Sequence, residues 1–133
     1  MALASKLVKI GFGSREAKAL GLRTEYIAAG GTTQANATPT TESITVVSGA
    51  STTNGIILPT YNKSNTGLHF IVNADPTNSF VIYPAVGEQL NGLGANNAGA
   101  LQQASHALIY LGEDGAGGLS WWGFYSQQLP AYP

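Results

Sequence analysis

From Glu42 to Tyr125 the chain never sustains an apolar stretch for more than a few residues before glycine, proline or asparagine interrupts it. Such runs are too short for a helix with a packed face, but a strand needs only about four to eight residues. The β-type runs are residues 43–47, 55–58, 68–73, 80–83, a short piece at 88–90, 104–111 and 119–125. Between them, Asn54-Gly55, Asp75-Pro76, Asn91-Gly92 and the glycine cluster at 115–118 supply turn chemistry: Gly and Asn tolerate positive φ, and Pro presets a bend. The pattern predicts an all-β domain, a small antiparallel β-sandwich or jelly-roll-like barrel.

The leading segment reads differently. Leu3, Leu7 and Ile10 recur at helix spacing, Gly11 and Gly13 interrupt, and Ser14 is placed to cap a second short helical piece ending before Gly21. Pieces this short are not stable alone, so they are expected in an N-terminal arm carrying short helical segments. Between residues 28 and 41 hardly a large apolar side chain occurs, which reads as an extended linker. The expected organisation is a docking arm and linker over residues 1–40, a β domain over 41–126 and a tail over 127–133.

Charge follows the same division. Residues 1–30 hold five of the six basic residues against two acidic ones, a net of +3, and the remainder has Lys63 alone against five acidic residues, a net of −4. Opposite signs suggest an arm that docks on an acidic neighbour, and an amphipathic segment keeping its charges in water is the simpler reading of the same run. The absence of cysteine excludes disulfides, thiolate metal sites and thiol nucleophiles. No run approaches a membrane span, and Lys6 and Lys9 break the apolar opening, so neither membrane insertion nor secretion is expected.

No Lys or Arg occurs from Ser64 to Pro133, and both faces of the longer strands are apolar. Leu68, Phe70 and Val72 oppose His69, Ile71 and Asn73. Likewise Ala107, Ile109 and Leu111 oppose His106, Leu108 and Tyr110, and Trp121 and Tyr125 oppose Trp122 and Phe124. A lone antiparallel sheet usually keeps one polar face, so something is expected to cover the second: another copy of the chain, or the leading segment folded back. His106, Leu108, Tyr110, Trp122 and Phe124 are the candidate oligomer interface. Adjacent tryptophans on a strand point to opposite faces, which predicts one in the core and one at the surface, for an interface or for stacking on a sugar ring.

Catalytic chemistry finds little to build on. His69 and His106 lie in strand runs without a neighbouring carboxylate in sequence, and Glu113-Asp114 beside Gly115 read as a solvated turn. Gly11-Phe12-Gly13-Ser14 lacks the Gly-Lys-Ser/Thr ending of a phosphate loop, and Gly92-Leu93-Gly94 misses dinucleotide spacing. The tripeptides Asn36-Ala37-Thr38 and Asn62-Lys63-Ser64 match the glycosylation pattern without other signs of secretion. No enzyme activity, cofactor, metal, nucleic-acid partner or small-molecule substrate is expected.

Over about half the chain, residues 55–122, a series of motifs recurs together: Leu58-Pro59, Gly67 leading into Val72-Asn73, Ile82-Tyr83-Pro84-Ala85-Val86-Gly87, Leu90-Asn91-Gly92, the strand around 107–110 and a late Trp. This combination resembles a module of tailed-bacteriophage virion proteins found in capsid decoration (cement) proteins, head fibres and tail fibres. The resemblance implies a structural virion component. The short chain, lacking a shaft repeat, suits a decoration protein on the outer capsid surface, and similar cement proteins are typically trimers bound to the major capsid protein. On that reading Leu3, Lys6, Leu7, Lys9, Ile10, Phe12 and Arg15 form the capsid contact. The alternative is a carbohydrate- or host-receptor-binding module of a fibre.

Overall fold

A computed structural model describes the backbone of residues 23–60, 68–113 and 119–126, and the side chains of residues 23–60, 69–110, 121 and 123. The expected helical pieces of the arm and the tail at 127–133 lie outside these residues. Among the described residues there are ten strands: β1 Thr24–Ala28, β2 Thr38–Pro39, β3 Ile44–Ser48, β4 Gly55–Ile57, β5 Leu68–Asn73, β6 Phe80–Tyr83, β7 Gln89–Leu90, β8 Gly99–Leu101, β9 His106–Glu113 and β10 Leu119–Ser126. The all-β class is as expected, and each of the seven sequence-predicted runs overlaps a strand. Strands β1, β2 and β8 were not anticipated.

The strands form a six-stranded sheet, β1-β3-β5-β9-β10-β7, and a four-stranded sheet, β2-β4-β6-β8. From β1 to β6 the chain alternates between them, and each return to a sheet lays a strand beside the one from the previous pass, running the same way. In the larger sheet Thr24 pairs with Ile44 and Ile44 with Phe70. In the smaller one Thr38 pairs with Ile56 and Ile56 with Ile82. These four contacts are parallel, as is β7 with β10. Among the described strand pairs, β5–β9, β9–β10 and β6–β8 are antiparallel. The expected antiparallel pairing is therefore corrected. A tight turn can join only antiparallel neighbours, but from β1 to β6 each connection crosses to the other sheet and two crossings restore the direction.

The linker expected at 28–41 is also corrected, and with it the start of the domain at 41. β1 pairs with β3 along its whole length, β2 pairs with β4, and Ala29, Ala37 and Thr40 are buried. Small residues let this stretch run against backbone: Gly30 and Gly55 exchange N–H···O bonds of 3.0 and 3.3 Å. Gln34, in a single 3₁₀ turn at Gln34–Asn36, donates its Nε2 to the Pro84 carbonyl at 2.8 Å and fastens the first pass to the third. Gly31 makes that turn possible. Its φ is +69°, and a Cβ there would meet the Asn36 carbonyl oxygen at 2.1 Å.

The buried sides of both sheets join in one cluster. Val47, Ile71, Ala107, Ile109 and Trp121 come from the larger sheet and Ile56, Phe80, Ile82 and Leu101 from the smaller, with Ala29, Ala50, Leu58 and Leu90 closing the edges. Fully burying a large apolar side chain contributes about 1.5–3 kcal/mol, so these residues supply the main driving force. Asn73, 1% exposed, is a polar member of the inner face. Its Nδ2 donates to the carbonyls of Asn78 (2.8 Å), Gln102 (3.0 Å) and Leu101 (3.3 Å), and its Oδ1 accepts from the Asp75 N–H (3.0 Å). It thereby ties the β5–β6 turn to the β8–β9 turn.

Candidate interaction surface

Strand pairing decides which residues share the outer side of the six-stranded sheet. Tyr26 lies opposite Val46, Val46 opposite Val72, and Val72 opposite His106. In the next row Thr24, Ile44, Phe70 and Leu108 follow one another across the same four strands, and Leu68 lies opposite Tyr110. Directly paired residues project to the same side, so these positions form one continuous face. The alternate positions Val47, Ile71, Ala107 and Ile109 are the buried ones. Within β5, the strand carrying His69 and Asn73 thus turns its more polar side inward, because Asn73 finds its partners in two turns and at the end of β8, and the His69 ring meets Trp121 edge-on at 5.3 Å.

The outer face is apolar and aromatic. Tyr26 is 80% exposed, Tyr110 39% and Phe70 36%, while Ile44, Val46, Val72 and Leu108 are half-buried among them. None of the described strand positions that share this side is Asp, Glu, Lys or Arg. Large exposed apolar patches on such a sheet mark contact surfaces.

Of the sequence-predicted interface residues, His106, Leu108 and Tyr110 stand together on this face. Trp122 and Phe124 occupy the register positions opposite Tyr110 and Leu108; their side chains lie outside those described. The predicted capsid contacts Leu3, Lys6, Leu7, Lys9, Ile10, Phe12 and Arg15 are all outside the described residues. Sequence reasoning missed Tyr26 and the apolar pair Ile44 and Val46. Their alternation with Glu25 and Thr45 was a usable signal, hidden because β1 was assigned to the arm.

Two acidic residues have built surroundings. Glu25 Oε1 accepts from the Thr45 hydroxyl (2.7 Å), the Thr41 N–H (2.9 Å) and the Glu42 N–H (3.2 Å), and Oε2 accepts from the Thr41 hydroxyl (2.8 Å). Partial burial pushes its pKa up, but the hydrogen bonds from Thr45, Thr41 and Glu42 together hold it below the ordinary value. Glu88 is 7% exposed, and its Oε2 accepts the indole N–H of fully buried Trp121 at 2.5 Å. Trp121 is the core tryptophan that the adjacent pair predicts. Among the described residues no cluster of three His, Asp or Glu is arranged to hold a metal ion, and no helix is long and apolar enough to cross a membrane.

Comparison with family models, with curated proteins and with solved structures found no match.

Proposed function

We propose that this chain is a structural protein of a phage virion, a capsid decoration or cement protein that forms homotrimers and clamps neighbouring subunits of the major capsid protein at the outer surface of the head. The observation that carries the assembly is the uncharged face of the six-stranded sheet bearing Tyr26, Phe70 and Tyr110. Support for the virion setting is the resemblance of residues 55–122 to phage decoration and fibre modules. The same reading takes the two sheets as a small β-sandwich whose free outer face is closed by sister subunits. Leu3, Leu7, Ile10 and Phe12 would bury on the capsid, with Lys6, Lys9 and Arg15 steering them onto acidic surface. Many copies on one shell multiply a modest contact at each site.

Light scattering on the purified chain tests the assembly: a mass of three chains that survives high salt is expected, and a monomer at all concentrations refutes it. Tyr26→Asp and Tyr110→Asp are expected to yield folded monomers, since a charge buried in an apolar contact has no partner. Deleting residues 2–13 is expected to leave trimers intact and abolish binding to capsids.

The exposed tyrosines favour one rival, a carbohydrate- or host-receptor-binding module in which they stack on sugar rings. Titration with bacterial surface glycans decides between the two: saturable quenching of the tyrosine and tryptophan fluorescence of a monomer supports the rival.

A further inference from the structure

The turn Asn91-Gly92 closes the four-residue bend from Leu90 to Leu93. Leu93 N–H donates to the Leu90 carbonyl at 2.9 Å, and both central residues have positive φ, +50° and +71°, the geometry of a type I′ turn. Beside this turn, between the two sheets, lies a hollow of about 140 Å³. Ile82, Leu90, Leu101, Ala107 and Ile109 make its buried floor, and the exposed Asn91, Leu93 and Ala100 frame its mouth. Two strand positions on its wall, Gly99 and Gly123, carry no side chain, which leaves room for Leu90 and Ile109 to pack against the backbone there.

The chemistry of the lining is one-sided. Asn91 is the single polar side chain on it, and both ends of its amide are engaged: Oδ1 accepts the Gly123 N–H at 2.7 Å and Nδ2 donates to the Gly123 carbonyl at 3.2 Å. Water needs about two to four polar partners to settle in such a space, and the floor offers carbon. An apolar cavity of about 150 Å³ lined by aliphatic side chains is known to stay dry and to admit benzene or xenon. This hollow differs in having an open mouth, so the comparison carries over only the size and apolar character of what its floor can hold.

We propose that this hollow is a binding site for one apolar ring or compact branched alkyl group, taken up as a free small molecule through the Asn91–Leu93–Ala100 mouth. The inference is independent of trimer formation, because the hollow lies between the sheets and not on the outer face. The ligand is held by apolar contact, because the floor is carbon and both ends of the amide at the mouth are turned to Gly123.

The test is a benzene titration of the full chain followed by methyl NMR, with phenol as the polar counterpart. Saturable shifts confined to the methyls of Ile82, Leu90, Leu93, Leu101 and Ile109 are expected, with phenol binding no more tightly than benzene. Ile109→Phe, or Ala107→Leu if the first does not fold, fills the floor and is expected to weaken benzene at least tenfold. Non-saturating shifts, binding that survives a folded filling variant, or phenol binding tenfold tighter than benzene would each overturn the proposal.

Discussion

Replacing Asn73 by alanine removes the one polar side chain that holds two distant turns together inside the core. The residue is 1% exposed, and its amide makes three good hydrogen bonds of 2.8–3.0 Å, to the Asn78 and Gln102 carbonyls and from the Asp75 N–H, plus a longer one to the buried Leu101 carbonyl. At about 1 kcal/mol net for each good bond, and about 1 more for leaving the Leu101 carbonyl without this donor, the loss is about 4 kcal/mol. Domains of this size are stable by about 5–15 kcal/mol, so the variant should fold but lie near the edge. With a urea slope of about 2 kcal/mol/M the unfolding midpoint should fall by about 2 M, at fixed protein concentration so that assembly does not confound it. Asn73→Asp sharpens the test, because it keeps the shape and the bond from Asp75 but aims a carboxylate at three carbonyl oxygens. Its folded-state pKa must then rise above the unfolded value of about 3.9, so the folded form binds more protons and the variant loses stability, relative to wild type, as pH climbs from about 4 towards 7. A midpoint shift below about 0.5 M for the alanine variant, or an aspartate variant whose deficit does not grow with pH, would refute this account of the core.

Three further outcomes are expected. Glu25 has a depressed folded-state pKa, so its contribution is present above the ordinary carboxylate range and is lost as pH falls through the lower folded value. The stability gap between wild type and Glu25→Gln should therefore be larger at pH 6 than at pH 3 in urea titrations. Trp121→Phe deletes the indole donor to the buried Glu88 carboxylate and should destabilise by roughly 2–4 kcal/mol, seen as a lower urea midpoint and lost near-UV circular dichroism. Gly31→Ala forces a left-handed φ on a side chain whose Cβ overlaps the Asn36 carbonyl, and should lower stability by about 1–3 kcal/mol in the same assay.

The turn chemistry was legible because it is local. Asn91-Gly92 forms the positive-φ bend its residues favour, and Asp75 caps its own turn, accepting through Oδ1 from the Thr77 N–H and hydroxyl and from the Asn78 N–H. Those bonds, with the Thr77 backbone contributing most, hold the Asp75 carboxyl below its ordinary pKa. The run at 68–73 coincides with β5 and that at 80–83 with β6, since alternation and β-branched content are enough to define a strand. That His106, Leu108 and Tyr110 share one face of β9 was legible for the same reason: they follow the period of two. Tyr26 was not, because its strand has few large apolar residues and draws its order from pairing with β3 and from the bonds that Glu25 accepts.

By itself the sequence determined the class of element, the positions of most strands, the turns at Asp75-Pro76 and Asn91-Gly92 and the presence of apolar residues on both strand faces. These depend on φ preferences and side-chain alternation within a few residues. Asn54-Gly55 instead lies at the end of a bend from Ser51 to Asn54, with Gly55 opening β4. Tertiary structure alone decided that the strands of successive passes run parallel, that residues 24–40 belong to the sheets, and that the side of β5 carrying Asn73 faces the core. Each of those outcomes rests on partners distant along the chain: a crossing between sheets, a glycine passing against another glycine, a carboxamide satisfied by carbonyls of two other turns. Local preference carries no information about which remote backbone groups will be there to complete such bonds.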